Sequence, residues 1–267
     1  MLTTAMLRTR VIALLTDFGR SDAYVGAMKG VILRIAGSAT IVDITHDIMP
    51  QGIDQAAYLL WNSYRFFPKG TIFVVVVDPG VGSQRKILCV ETADYLFLAP
   101  DNGILKYVLK EAGSKRVIAV TNSKYFAENV SDTFHGRDIF APVAAHLAGG
   151  LALTKLGTAT IPQAGEEWFL EIGRGKRGRL EGKILHIDHF GNLITNFFIL
   201  KDVIPKMRLK VGRQNLTDRY RFYSEAKPGV PFIIKGSSSL LEVSLVNGSA
   251  AKRLHASINQ KVVLTQG

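Results

Sequence analysis

Two hydrophobic periods alternate along the first part of the chain. Short, nearly unbroken apolar runs at 11–15, 40–44, 71–77, 87–91, 95–99 and 117–120 read as β-strands. The run Phe73-Val74-Val75-Val76-Val77 is β-branched and free of charge, as in a strand buried on both faces. Between these runs, Tyr24, Ala27, Met28, Val31 and Ile35 recur at helical spacing, as do Ile53, Ala56, Ala57, Leu60 and Tyr64. Residues 104–109 and 139–147 predict two further helices. Alternation of this kind predicts an α/β fold, a mostly parallel sheet sandwiched by helices. The close succession of two strands within 87–99 predicts a local antiparallel addition.

The pattern breaks after residue 160. Pro162, Gly165, Gly173, Gly175, Gly178 and Gly182 interrupt it, with the basic run Arg174-Gly175-Lys176-Arg177-Gly178-Arg179 among them. Beyond lie short runs at 183–188, 208–211, 219–223, 231–235, 240–245 and 261–265, separated by Gly, Asn and Pro turns. They predict a smaller all-β domain, barrel-like in outline. The expected organisation is an α/β domain over 1–160, a linker over 161–181 and a β domain over 182–267.

Composition narrows the classes. A chain of 267 residues, 47% hydrophobic, suits one large or two modest globular domains. The single Cys89, inside Ile87-Leu88-Cys89-Val90, reads as core and excludes an internal disulfide framework. No uninterrupted apolar stretch reaches about 18 residues, and Met1 to Thr9 lacks an apolar leader core, so a soluble cytoplasmic protein with no membrane partner is expected. The net charge of +11 raises nucleic acid as a partner. The basic residues are scattered, however, and no RNA-binding motif interleaves them with aromatics. The 174–179 cluster reads as a solvated linker.

Candidate chemistry gathers at strand ends. The 73–77 run stops at Asp78 and then turns through Pro79-Gly80-Val81-Gly82, with Arg85 close enough to fold back over the turn. Ligands of open α/β sheets bind outside the carboxyl ends of strands. Leu14-Leu15-Thr16-Asp17-Phe18-Gly19 ends the same way, and so does Ile187-Asp188-His189-Phe190-Gly191-Asn192 in the second domain. One such ending is an ordinary turn or cap. Three form a pattern. Thr133-Phe134-His135-Gly136-Arg137-Asp138 adds a histidine beside a glycine just before a helix. A metal site is disfavoured, because no HxH or HxxxH spacing occurs and one cysteine builds no thiolate cage. Gly80-Val81-Gly82 lacks the rest of a P-loop or Rossmann fingerprint.

These blocks, with Asp43-Ile44-Thr45-His46, Ala99-Pro100-Asp101-Asn102-Gly103, Ser237-Ser238 and Asn247-Gly248-Ser249, are identified as those of a known family. The chain resembles the S-adenosylmethionine hydroxide adenosyltransferases, the adenosine-forming S-adenosylmethionine hydrolases, over nearly its whole length. These are relatives of fluorinating and chlorinating enzymes acting on the same substrate. The resemblance implies a homotrimer with sites between the N-terminal domain of one subunit and the C-terminal domain of the next. It implies a catalytic set that falls on Asp78, Arg85 and His135. The halogenating relatives carry an aromatic residue in place of Asp78 and Tyr-Ser in place of His135-Gly136, so this chain resembles the water-using branch. An ionised Asp78 would also repel halide.

The implied reaction is hydrolysis of S-adenosyl-L-methionine to adenosine and L-methionine, with no cofactor and no metal. The sulfonium already carries its leaving group, so the need is a water held in line with the 5′ carbon. Asp78 would position it, Arg85 would orient Asp78, and His135 would hold the water or carry its proton. Asp17 suits the ribose diol and Asp188 the methionine ammonium. Phe190 and Tyr223 suit stacking on adenine. Asn192 and the backbone near Asn247 and Gly248 suit its edge. On resemblance, Ser238 meets the methionine carboxylate and Glu242 the ammonium. The halogenating relatives have Arg where Ser239 follows Ser238. The alternatives are a halide-using 5′-halo-5′-deoxyadenosine synthase and a non-catalytic basic nucleotide- or RNA-binding protein.

Overall fold

The computed structural model describes residues 11–113, 115–163, 171–199 and 206–266. The chain divides into two units, Met1–Glu166 and Glu167–Gly267.

In the first unit the order is β1 (Val11–Thr16), α1 (Tyr24–Ile35), β2 (Thr40–Thr45), α2 (Ile53–Ser63), β3 (Ile72–Val76), β4 (Ile87–Glu91) and β5 (Leu96–Pro100). Then come α3 (Lys106–Glu111), β6 (Arg116–Val120), α4 (Ala141–Ala148) and β7 (Gly157–Ala159). The sheet runs β2-β1-β3-β5-β4-β6-β7. The block β2, β1, β3 and β5 is parallel, and β4, β6 and β7 join antiparallel. The antiparallel part therefore extends beyond the hairpin expected within 87–99.

Successive strand side chains point to opposite faces, so a continuous apolar run serves two cores. Ile12, Leu14, Val74 and Val76 pack with Met28 and Ile32 of α1 and Val143 of α4. Ala13, Leu15, Phe73 and Val75 pack with Ala56 and Leu60 of α2 and Val108 of α3. Phe73 stacks on Phe97 with ring centroids 5.0 Å apart. Cys89 is fully buried in the first of these cores, and burial pushes its thiol up. No helix among the described residues is long and apolar enough to cross a membrane.

The second unit contains β8 (Gly173–Arg174), β9 (Leu180–Ile187), β10 (Leu193–Phe198), β11 (Met207–Val211) and β12 (Gln214–Leu216). It continues through β13 (Phe232–Lys235), β14 (Leu240–Ser244), α5 (Ala250–Leu254) and β15 (Lys261–Gln266). The order β12-β11-β15-β9-β10-β14-β13 is antiparallel throughout. Strand β9 is the bridge: its first half pairs with β15 and its second with β10. The chain leaving β12 makes a bridge from Arg219 to Ile233 of β13, which brings the sheet's two ends toward each other. Ile184, Leu193, Phe197, Leu209, Ile233, Leu241 and Val243 fill the barrel-like interior.

Three local expectations change. Residues 219–223 do not continue as a strand beyond the Arg219 bridge. The Glu225 carboxylate accepts the N–H groups of Arg221 (3.0 Å) and Phe222 (3.3 Å), and this local bonding competes with a ladder. Strand β10 was hidden by its polar centre. Thr195 donates its hydroxyl to the Leu241 carbonyl at 2.7 Å, and Asn196 accepts the Lys183 N–H at 2.7 Å, so both stand buried without cost. Within the segment read as a linker, 164–170 lie outside the described residues, while Gly173–Arg174 pair with Glu181 and Leu180.

Candidate active site

Strand β1 leads through α1 to β2 on one side and pairs with β3 on the other, so the strand order reverses at β1. Such a switch point opens a crevice at the carboxyl ends of the strands. Thr16 pairs with Val76 in parallel register. Asp17 and Asp78 therefore leave neighbouring strands at the same end of the sheet.

The turn after β3 is built to return Arg85 onto Asp78. Asn102, which follows β5, donates its side-chain amide to the Val77 carbonyl at 2.9 Å and fixes the strand end. Val81 and Ser83 donate backbone N–H to the Asp78 and Gly80 carbonyls. Gly82, at φ +77°, lies so close to the Asp132 carbonyl that an added Cβ would sit 2.8 Å from its oxygen. A side chain there would push apart the two loops that carry Arg85 and His135.

The Arg85 guanidinium then grips Asp78 with two bonds, Nε to Oδ1 at 2.8 Å and Nη2 to Oδ2. The side chains are 11% and 5% exposed, so the pair is largely shielded from water. Nη2 also lies 3.2 Å from His135 Nδ1. A guanidinium only donates, so Nδ1 is the acceptor and the neutral ring carries its proton on Nε2. Burial holds His135 below its ordinary value of 6.5, and the Arg85 charge pushes the same way. Asp78, Asp138 and Asp132 oppose that shift without reversing it. A pocket of about 280 Å³ opens here, lined by Arg85, His135, Thr121 and Phe126 among others.

His135 is set by a wide π-turn, Gly136–Phe140, that precedes α4. Asp138 anchors the turn from inside. Its burial opposes ionisation, but two bonds from Arg137 and the Ser131 N–H at 2.9 Å outweigh that and hold the carboxyl at about 2. Phe134 meets Phe18 and Tyr24 edge-to-face, and those two rings are tilted against each other, with centroids 5.1–5.9 Å apart. A Cβ on Gly136 would press the Phe18 ring at 3.2 Å. The cluster thus ties the loop after Asp17 to the turn after His135. Asp17 itself accepts the Gln51 N–H at 2.9 Å, with Gln51 held at φ +64°. Thr16 and His46 are joined at 2.8 Å beneath it, and His46 Nε2 lies 3.1 Å from Asp43.

In the second unit, Asp188 closes the β9–β10 turn. Its two oxygens accept the backbone and side-chain N–H of Asn192, both at 2.8 Å. One of the two Asn192 side-chain donors is therefore used within the turn. Gly191, at φ +84°, packs so tightly on Ser249 that any Cβ would overlap it. Phe190 (73%) and Tyr223 (48%) are exposed, the latter edge-on to Phe232. Ser238 lies half-buried in the β13–β14 turn, and Asn247 and Gly248 are exposed before α5, with Asn247 at φ +56°. Glu242 faces Ile194 and Ile234 across the sheet, with His186 next beyond Ile194. Burial first, and then the charge of Asp188, push its carboxyl up to about 7.

Asp78, Arg85 and His135 are thus brought together, with Asp17 on the adjacent strand end. Asp188, Asn192 and Glu242 form a second set in the other unit. Asn102, Gly82 and Asp138 had no role assigned from sequence. The Pro100-Asp101-Asn102-Gly103 string after an apolar run is the signal that marks Asn102.

Comparison with known proteins bears on both units. The SAM hydroxide adenosyltransferase N-terminal domain matches residues 12–157, and the C-terminal domain of the same family matches 182–263. The chain belongs to this family. A member named (R)-S-adenosyl-L-methionine hydrolase from Methanocaldococcus jannaschii is 36% identical over 262 residues, covering 92% of each chain. A fluorinase from Actinoplanes sp. is 31% identical over 215 residues, 70% of this chain and 71% of its own. The crystal structure of a conserved Thermotoga maritima protein superposes with a TM-score of 0.88 at 34% identity, covering 96% of this chain and 100% of that one. In this adenosyltransferase-family chain the strand-end carboxylate Asp78 and its guanidinium clamp stand in the matched N-terminal domain.

The Glu242 carboxyl makes a prediction about stability. The native state holds this proton up to about pH 7, whereas an unfolded chain releases it near 4.5, so stability falls as pH rises between those values. Glu242→Gln removes the dependence. Its thermal unfolding temperature should exceed that of the wild type at pH 8, by about 1–3 kcal/mol in stability, and match it near pH 5. Calorimetry at the two pH values checks this.

Proposed function

We propose that this chain hydrolyses S-adenosyl-L-methionine to adenosine and L-methionine, with the N-terminal unit catalytic and the C-terminal unit binding substrate. The observation that carries the reading is the Asp78–Arg85–His135 constellation at the strand-end switch point. The names of the hydrolase relatives support it.

The water oxygen attacks the 5′ carbon as the bond from that carbon to sulfur breaks, and methionine leaves as a neutral thioether. One proton must leave the water. Each Asp78 oxygen accepts one bond from Arg85 and keeps a lone-pair site for the water. His135 Nδ1 is occupied by Arg85, so this ring orients the water through Nε2–H and is not the base. Asp78 is the remaining acceptor. The clamp from Arg85 makes it a firm positioner, and catalysis rests mainly on alignment and on a fixed charge in a shielded site. No cofactor is required, because the sulfonium supplies the leaving group. A halide in place of the water would meet the Asp78 carboxylate.

For the substrate, Asp17 binds the ribose diol and Asp188 the methionine ammonium, with Glu242 beside it. Exposed Phe190 and Tyr223 flank adenine, and Asn192 with the Asn247–Gly248 backbone reads its edge. Ser238 receives the methionine carboxylate. We further propose a homotrimer with these sites at the subunit interfaces, which gives the exposed aromatics a partner surface.

Incubation with S-adenosyl-L-methionine should release adenosine and methionine, followed by chromatography. Asp78→Asn and His135→Ala should each lower kcat at least about 100-fold, within the range for lost acid–base and positioning groups. Full rates in both variants would remove the assignment. A second measurement follows the pH profile. Protonating His135 abolishes the acceptor that Arg85 uses, so kcat should decline on acidification, with its midpoint on the acid side of an ordinary histidine. Light scattering should give three times the mass of the 29.3 kDa chain.

A further inference from the structure

The chain's charge is concentrated in one unit. Residues 167–267 hold 17 Lys and Arg against 8 Asp and Glu, which is nine of the eleven net positive charges. Cations scattered along the sequence are gathered by strand register. On β11, Arg208 and Lys210 alternate with buried Met207, Leu209 and Val211. Lys210 pairs with Val263 of β15, which pairs with Glu181 of β9. Arg208 pairs with Thr265, and Lys261 pairs with Lys183. Directly opposed residues share a sheet face, as do residues two apart on a strand. One outward face therefore carries Arg208, Lys210, Lys261 and Lys183, with Glu181 the acid among them. Arg213 follows β11 in the turn to β12, and Lys176 and Arg179 precede β9.

Arg208, Lys210, Arg213 and Lys261 are exposed, and none is in an ion pair among the described residues. Like charges this close repel, and the arrangement has no evident packing benefit. Neither β11, β15 nor the paired half of β9 bears a Phe, Tyr or Trp. Bases would find no stacking platform there. The face also offers no exposed large apolar side chain to enter an acyl layer, which disfavours a lipid surface.

We propose that the β11–β15–β9 face of the second unit is a docking surface for the phosphate backbone of single-stranded RNA. It acts independently of base sequence and uses none of the residues assigned to hydrolysis. Basic side chains two residues apart on a strand stand about 6.6–6.8 Å apart, a spacing suited to successive phosphates of an extended strand. With four to five phosphate contacts, the logarithm of affinity should fall with the logarithm of salt at a slope of about −3.

The test is fluorescence anisotropy of labelled oligo-U and oligo-A 20-mers, titrated with full-length protein from low to physiological salt. Both should bind alike, with the stated slope. Arg208→Glu/Lys210→Glu should weaken binding at least tenfold. Lys124→Glu/Lys155→Glu, with the same charge change in the first unit, should leave it within threefold. Both doubles should keep wild-type melting temperature and S-adenosyl-L-methionine turnover; should the first melt early, Arg208→Gln/Lys210→Gln takes its place. Absence of binding at low salt, equal weakening by both doubles, or binding to phosphatidylserine vesicles but not to RNA would each overturn the proposal.

Discussion

The pairing of β1 with β3 is the constraint from which the candidate site follows. Both strands are apolar on both faces, so their register is set by two cores at once. A slip by one residue would exchange the Ile12–Leu14 set with the Ala13–Leu15 set and leave large side chains facing the wrong helices. Because the register is held, Asp17 and Asp78 emerge side by side. Carboxylates at that point face the crevice, Asp78 shielded by its guanidinium, while their backbones are anchored in rigid strands.

Around this frame, charge is managed differently in the two units. In the first, Arg85 bonds Asp78 with two N–H groups, and its charge adds to burial in keeping His135 neutral. In the second, each Asp188 oxygen accepts one bond from Asn192 and keeps a lone-pair site, and its negative field adds to burial in raising Glu242. One set is neutralised by a built-in cation. The other is left short of positive charge, as a surface awaiting a cationic group would be.

Much of this was legible from residue order. The strand-ending carboxylates, the Gly-rich turn after Asp78 and the change of period near residue 160 predicted the two-domain α/β plus β plan. The parts that escaped share a cause: hydrogen bonds whose partners, local or distant, residue order does not disclose. Thr195 and Asn196 look unfit for a buried strand until Leu241 and Lys183 satisfy them. Arg221 and Phe222 look like strand until Glu225 claims their N–H groups. Asn102 gains meaning only because β5 ends beside β3. The basic residues of the second unit appear scattered until β9, β11 and β15 pair.

The wide turn Gly136–Phe140 has an evolutionary consequence. A π-turn holds one residue more than a regular helical turn, and each residue of an α-helix advances the side-chain direction by about 100°. Loss of a single codon within 136–140 could heal the turn into ordinary helix, leaving α4 and its apolar contacts in register. The imidazole upstream would swing to a new azimuth, out of reach of the guanidinium. Such a lineage would keep its folded scaffold and lose the Asp78–Arg85–His135 arrangement in one genetic step.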